Sequence, residues 1–205
     1  MAETPSTRVF LDANVIAKPV TRTLLMAGGP LSDFHVTWSL TAEQEAIRHM
    51  RPRATSPAVI RERFDFMLSP TGDVAGRFAA TSESDRQILA DTEASGAQFL
   101  ITEDVDDFAE EDLIALGISA VNPDLFLSLR LTRDAYSSVI DLFARGQVAP
   151  PTTPSEFHSA IARQHPKLFA AHADLYDVKP MKSPHPTPTV LFRGMHPVQR
   201  PHLGK

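Results

Sequence analysis

Residues 8 to 12, Arg8-Val-Phe-Leu-Asp12, form a short apolar run that ends in a carboxylate. Such a run predicts a buried β-strand. Gln98-Phe-Leu-Ile-Thr102 repeats the pattern and leads into an acidic stretch. His35-Val-Thr-Trp38 and Ile118-Ser-Ala-Val121 are two further short apolar segments that predict strands. The sequence therefore predicts four strands, two of which end at acidic side chains.

Helical segments are predicted between these strands. Helix-capping residues, helix-ending glycine or proline, and apolar spacing place them at about 15–27, 39–50, 56–68, 84–96, 110–116, 123–130 and 132–145. The fourth of these begins with Ser84-Asp-Arg-Gln87, which has the form of a capping box. Strands that alternate with helices predict an α/β fold with a central parallel sheet, whose functional residues lie at the carboxyl ends of the strands.

The composition changes near residue 148 and predicts three regions. Residues 1–147 form the compact domain, 148–178 a helical extension, and 179–205 a flexible tail rich in proline and histidine. Thr153-Pro-Ser-Glu156 is a capping box that predicts a helix over 154–174, kinked or split at Pro166. His158, His165 and His172 recur every seven residues. On a straight helix they are about 10 Å apart, too far to share one metal ion, so we expect polar positions on a surface helix.

Charge is distributed unevenly along this chain of net charge −5. Residues 83–112 contain eleven of the 25 acidic side chains, whereas residues 48–63 contain five arginines and a histidine. Two interpretations stay open at this point, a metal site beside a phosphate-binding surface and two solvated helical faces. The absence of cysteine excludes disulfides and thiolate metal sites. No signal peptide or membrane-spanning segment is apparent, so we expect a cytoplasmic protein.

Three aspartates stand where the predicted elements meet. Asp12 and Asp104 follow predicted strands, and Asp85 begins a predicted helix. Each has an ordinary alternative, helix capping for Asp12 and Asp85 and a solvated loop for Asp104. In a parallel sheet, however, the strand ends and adjoining helix starts share one edge, so the three carboxylates are expected to converge. Oxygen-only ligands of this kind select Mg²⁺ or Mn²⁺.

The order of four motifs resembles the PIN domain, a family that includes the VapC-type ribonuclease toxins of bacterial toxin-antitoxin pairs. The motifs are Phe-Leu-Asp12-Ala-Asn14-Val, Trp-Ser39 leading into Glu45-Ala-Ile-Arg-His-Met, Ser84-Asp85-Arg-Gln-Ile-Leu-Ala, and Leu-Ile-Thr102-Glu-Asp104-Val-Asp-Asp107-Phe. The resemblance covers about residues 8–130 and implies a PIN-like three-layer α/β/α domain. The chain continues well beyond the usual end of that fold.

The resemblance implies a set of site residues. Asp12, Glu45, Asp85 and Asp104 would bind metal and act in catalysis, with Asp107 as a further metal-binding or supporting group. Asn14 and Thr102 would support them. The implied activity is hydrolysis of RNA by metal-activated water, with a homodimer and an antitoxin protein as implied partners. A non-catalytic PIN-like scaffold that binds RNA or protein is the alternative function.

Two assignments near the second motif rest on helical geometry. Arg48, Arg51 and Arg53 are candidate contacts to RNA phosphates, with a solvated helix end as the equal alternative. Glu43 and Glu45 lie about 200° apart around the helix, so only one of them faces the cleft. The periodicity does not choose between them, and the resemblance selects Glu45.

Overall fold

The computed structural model describes residues 6–63, 68–147, 150–178, 188–196 and 198–199, and it contains a five-stranded sheet. The strands are β1 (Thr7–Leu11), β2 (Phe34–Thr37), β3 (Phe99–Ile101), β4 (Ser119–Val121) and β5 (Phe192–Gly194), and their order in the sheet is β2-β1-β3-β4-β5. The first four are parallel, and β5 is antiparallel to β4. The prediction of an α/β fold is confirmed, and the predicted central parallel sheet is confirmed for β1 to β4, whereas the antiparallel strand β5 was not predicted.

The central strands lie in the middle of the hydrophobic core. Val9, Phe10 and Leu11 of β1 are fully buried, as are Leu100 and Ile101 of β3. Strands of a parallel sheet are covered on both faces, which is why they are continuous apolar runs and not alternating patterns. This burial brings Asp12, which follows β1 directly, to the carboxyl edge of the sheet.

Ten helices surround the sheet in the described residues, and they follow the predicted segments closely. They are α1 (Ala13–Ile16), α2 (Pro19–Gly28), α3 (Leu40–His49), α4 (Pro57–Arg63), α5 (Arg86–Ala94), α6 (Glu110–Leu116), α7 (Pro123–Arg130), α8 (Arg133–Gly146), α9 (Pro154–Ile161) and α10 (Pro166–Ala171). Ser39 caps α3 by accepting a hydrogen bond from Ala42 N–H at 3.1 Å. The predicted capping box of Thr153 and Glu156 is present at the start of α9.

Two helix predictions need correction. The predicted helix over 15–27 is divided into α1 and α2, because Pro19 disfavours helical geometry at Lys18, whose backbone is extended. The predicted capping box at Ser84 is wrong, since Asp85 is the N-cap residue of α5 and no side chain caps this helix. The Ser84 hydroxyl instead donates to the Asp85 carboxylate at 3.1 Å.

The three evenly spaced histidines are buried, so the prediction of surface positions is wrong. His158 Nδ1 lies 2.6 Å from the Tyr136 hydroxyl of α8, and the His172 ring stacks on Tyr136 with 4.3 Å between centroids. His165 Nε2 lies 2.9 Å from the Thr21 hydroxyl of α2. The aromatic and hydroxyl partners come from distant helices, and this tertiary packing is invisible in the local sequence pattern. The extension, through α9 and α10, packs on α8 and α7.

The prediction of a flexible tail over 179–205 is wrong for residues 192–194, which form β5. Asn122 N–H donates to Leu191 O at 2.9 Å, and Arg193 of β5 pairs with Asp106 at 2.7 Å. Residues 179–187, 197 and 200–205, to which the same prediction applies, lie outside the described residues. None of the described helices combines the length and apolar character needed to cross a lipid bilayer.

Candidate active site

A cavity of about 650 Å³ opens at the carboxyl edge of the sheet. Five carboxylate side chains from four separate parts of the chain line it. They are Asp12, Glu45, Asp85, Asp104 and Asp107. The structure therefore brings together all of the acidic residues that the sequence motifs single out.

Asp12 is the most buried of these carboxylates, with 8 % of its surface exposed. It follows β1 and caps α1, its Oδ1 accepting from Ala13 N–H at 2.6 Å, while its Oδ2 accepts from the Thr102 hydroxyl at 2.7 Å. Burial raises the pKa of Asp12 to about 7, and the charges of Glu45 and Asp85 add to the rise. Asp12 therefore does cap a helix, which is its ordinary alternative role. Capping does not compensate the negative charge of the buried carboxylate.

Asn14 and Thr102 connect the ends of β1 and β3. The Asn14 amide donates to the Thr102 hydroxyl and to Asp104 Oδ2, each at 3.1 Å. The side-chain oxygen Oδ1 of Asn14 accepts from Glu103 N–H at 3.2 Å, and Thr102 Oγ1 accepts from Asp104 N–H at 3.1 Å. These bonds fix Asp12 and Asp104 relative to one another across the sheet, which is a positioning role.

Asp85 and Asp107 face the cavity from the side of α5 and of the 3₁₀ turn at 105–107. The Ser82 and Ser84 hydroxyls both donate to Asp85 Oδ2. Burial raises the pKa of Asp107, and the charges of Asp85, Asp104 and Asp106 raise it further. The five carboxylates therefore interact electrostatically, Asp12 with Glu45 and Asp85, and Asp107 with Asp85 and Asp104.

Glu43 and Glu45 have different surroundings. Glu43 is buried, accepts from Trp38 Nε1–H at 2.9 Å, and pairs with Arg61 at 3.2 Å. Glu45 is half-buried and lines the cavity. The contacts with Trp38 and Arg61 allow Glu43 to occupy a buried position. Helical periodicity does not reveal such partners, so it could not decide which glutamate faces the cavity.

Of the three candidate RNA-contacting arginines, only Arg51 lines the cavity in the described structure. Arg48 and Arg53 are exposed elsewhere on the same segment. The loop that carries Arg51 is held by Arg22, a buried residue whose guanidinium donates to Ile16 O at 2.7 Å and to Thr55 O at 2.9 Å. Burial lowers the pKa of Arg22 to about 10.

Residues outside the predicted set of site residues also line the cavity. They include Lys18, His49, Phe108 and Gln164. His49 follows Glu45 by one helical turn, which is a usable sequence signal. Gln164 belongs to the C-terminal extension, and only the tertiary fold brings it to the edge of the sheet.

The donor chemistry of the cavity fits a hard divalent cation, because the acidic side chains offer only oxygen ligands. Across the part of the chain that the structure describes, no three His, Cys, Asp or Glu side chains stand close enough together to hold one ion. Binding would therefore need changes in side-chain rotamers that draw the carboxylates inward. Burial is the main cause of the raised pKa values of Asp12 and Asp107, and neighbouring carboxylates add a repulsion that a bound cation would offset.

The stability of the metal-free protein should depend on pH through Asp12. Its folded pKa of about 7 exceeds the ordinary value of 3.8, so the folded state binds the proton more tightly and stability falls as pH rises from about 4 to 7. The cost of ionised Asp12 is on the order of 4 kcal/mol. Urea unfolding at several pH values should show a shallower fall in Asp12→Asn than in the wild type.

Asp141→Asn, which changes an exposed carboxylate of α8, is the matched control and should keep the wild-type pH profile. Addition of Mn²⁺ at pH 7.5 should raise the melting temperature of the wild type more than that of Asp12→Asn. Identical pH profiles for Asp12→Asn and the wild type would contradict the assignment of an electrostatic cost to this carboxylate.

Comparisons of the chain with protein-family models, with curated proteins and with solved structures find no match. The resemblance to the PIN domain therefore rests on the four sequence motifs alone.

Proposed function

We propose that this protein is a metal-dependent endoribonuclease that hydrolyses RNA phosphodiesters with metal-activated water. The observation that carries the proposal is the convergence of Asp12, Glu45, Asp85, Asp104 and Asp107 on one cavity. Structural carboxylates are usually paired with basic side chains, whereas here burial raises the pKa values of Asp12 and Asp107 and the charges of neighbouring carboxylates add to the rise. Such an arrangement is typical of functional sites.

Asp12, Glu45, Asp85 and Asp104 would hold Mg²⁺ or Mn²⁺, with Asp107 as a fifth ligand or a supporting group. A bound divalent cation lowers the pKa of a coordinated water and stabilises the leaving oxygen of a phosphodiester. Asn14 and Thr102 keep Asp12 and Asp104 in place, and Arg51 would contact a phosphate of the substrate.

The role as the toxin of a toxin-antitoxin pair, the antitoxin partner and the homodimer are proposals that the PIN-domain resemblance alone supports. The non-catalytic scaffold remains the second candidate. The observation that favours it is the absence of a preformed three-residue metal site among the described side chains.

A cleavage assay with two glutamate variants tests the nuclease proposal. The wild type should cut labelled single-stranded RNA in Mn²⁺ or Mg²⁺ and lose the activity in EDTA. Glu45→Gln should lose most of the cleavage, at least about tenfold, because the loss of a charged ligand weakens metal affinity more than the change of an outer-shell partner does.

Glu43→Gln is the matched control on the same helix. It should keep its cleavage rate but lose about 1–2 kcal/mol of stability, because Arg61 loses its charged partner. If Glu43→Gln is the inactive variant, the site lies on the other side of α3. If the wild type binds RNA but cuts none with either cation, the scaffold function is correct.

A further inference from the structure

A second cavity of about 740 Å³ adjoins the first. Five residues line both cavities, namely Lys18, Arg51, Asp104, Asp107 and Gln164. A molecule that places one group among the carboxylates can therefore continue directly into the second cavity. The volume of the second cavity lies in the range of about 300–1,000 Å³ that is usual for ligand sites.

The C-terminal extension forms one wall of this second cavity. Residues 163–167 and 188–191 line it, and the charged groups among them, Arg163 and Lys167, are both positive. The rest of the lining carries the carboxylates of Glu103, Asp104, Asp106, Asp107 and Asp124 together with the basic side chains of Lys18 and Arg51. The charged side chains that the extension adds are therefore positive, whereas all of the acidic side chains of the cavity come from the rest of the chain.

Other acidic residues of the cavity are engaged in the fold. Glu103 pairs with Lys18, and Asp106 pairs with Arg193 of β5. Asp124 accepts from the backbone N–H groups of Lys167 and Leu168, each at 2.9 Å. The Asp124 hydrogen bonds hold the extension against α7. The two ion pairs reduce the negative charge that a phosphate would meet.

The basic side chains of the cavity differ in their surroundings, and Lys18 is the one that pairs with Glu103. Within the described residues, Arg51 and Lys167 form no ion pair, and Arg163 is exposed. His165, which lies between Arg163 and Lys167 in the chain, is buried, and burial lowers its pKa to about 4. It is therefore neutral at physiological pH and positions the wall through Thr21 without adding charge.

We propose that the second cavity binds the nucleotides that adjoin the scissile phosphate of a single-stranded RNA, with Arg163 and Lys167 contacting the backbone phosphates. The inference rests on the proposed nuclease function and assigns the C-terminal extension as part of the substrate site. Single strands are bound by grooves whose positive charge follows the backbone. Carboxylates would hold the metal that binds the scissile phosphate, and the basic side chains of Arg163 and Lys167 would then contact the next phosphates. This order of groups matches a single strand of RNA.

Binding of a fluorescein-labelled RNA of about twelve nucleotides, a length within the range of single-strand sites, tests this assignment. Fluorescence anisotropy in Mg²⁺ is measured in the Asp85→Asn background, in which the RNA is expected to stay intact. Arg163→Gln together with Lys167→Gln should weaken binding about tenfold. The slope of log Kd against log salt should decrease by about 1.4, since each single-strand phosphate contact contributes about 0.7.

Arg77→Gln together with Arg145→Gln is the matched control, because it removes the same charge from two exposed residues that line neither cavity. It should leave Kd and the salt slope within about twofold and about 0.3 of the parent values. Equal effects of the two double variants would overturn the subsite. A wild type that cuts no RNA, together with a selective loss of binding in Arg163→Gln/Lys167→Gln, would support the subsite and overturn the nuclease function.

Discussion

Asp85→Asn should reduce metal-dependent RNA cleavage by at least about a hundredfold, since losses of tenfold to a hundredfold already follow from changes to outer-shell partners of a metal. Asp85 lines the cavity at the start of α5, and its charge adds to the rise that burial causes in the pKa values of Asp12 and Asp107. Its replacement removes a ligand but keeps the shape of the side chain. Asp12→Asn and Asp104→Asn should have comparable effects on cleavage.

The same variants should keep or raise the thermal stability of the metal-free protein, because each relieves carboxylate repulsion. Asp134→Asn, which changes an exposed carboxylate in the first turn of α8, is the control for removing an aspartate at a helix start. Cleavage rates in Mg²⁺ and Mn²⁺ and melting curves in EDTA measure the two effects. Near-wild-type, Mg²⁺-dependent cleavage by Asp85→Asn would show that the site assignment is wrong.

Removal of the residues after Asp177 should destabilise the protein. The composition of the tail predicts the opposite, a soluble and cooperatively melting protein, but β5 pairs with β4, and Val190 and Phe192 pack on the core. Loss of these contacts should cost about 3 kcal/mol, which lowers the melting temperature by roughly 10 °C in a chain of this size. The exposed edge of β4 should also promote aggregation.

Two further variants separate the role of β5 from that of the tail in general. A chain that ends at Gln199 keeps β5 and should melt like the wild type. Gly194→Val should reproduce much of the loss, because Gly194 has φ of +113° and an added Cβ would lie 2.4 Å from Ile118 O. Unchanged melting of both the chain that ends at Asp177 and Gly194→Val would show that β5 contributes little to stability.

The sequence was sufficient for the parallel part of the fold because its signals are local. Buried parallel strands are apolar runs, and α6 begins and ends where predicted, at 110 and 116, since Gly117 adopts the left-handed conformation that ends a helix. β5 was missed because a three-residue edge strand among prolines has no periodicity of its own. Its formation depends on β4, which is distant in the chain.

The candidate site shows the same division. Asp12 and Asp104 could be placed on one edge because both follow strands of a parallel sheet. The burial of Glu43 against Arg61 and the approach of Gln164 to the cavity depend on tertiary packing. The histidines at 158, 165 and 172 were misplaced for that reason, since their partners belong to α2 and α8.

The antiparallel strand β5 also has a consequence for biosynthesis. Val121 and Phe192, which pair in the sheet, are 71 positions apart in the chain. At typical translation rates, roughly 4–14 s pass between the synthesis of these two residues. During that interval the edge of β4 has no partner from its own chain, and an unpaired edge can pair with another nascent chain. We therefore expect folding on the ribosome to depend on chaperone occupancy more strongly at this stage than before β4 is made. Because residues 188–191, which precede β5, line the second cavity, that part of its wall is also made only after β4.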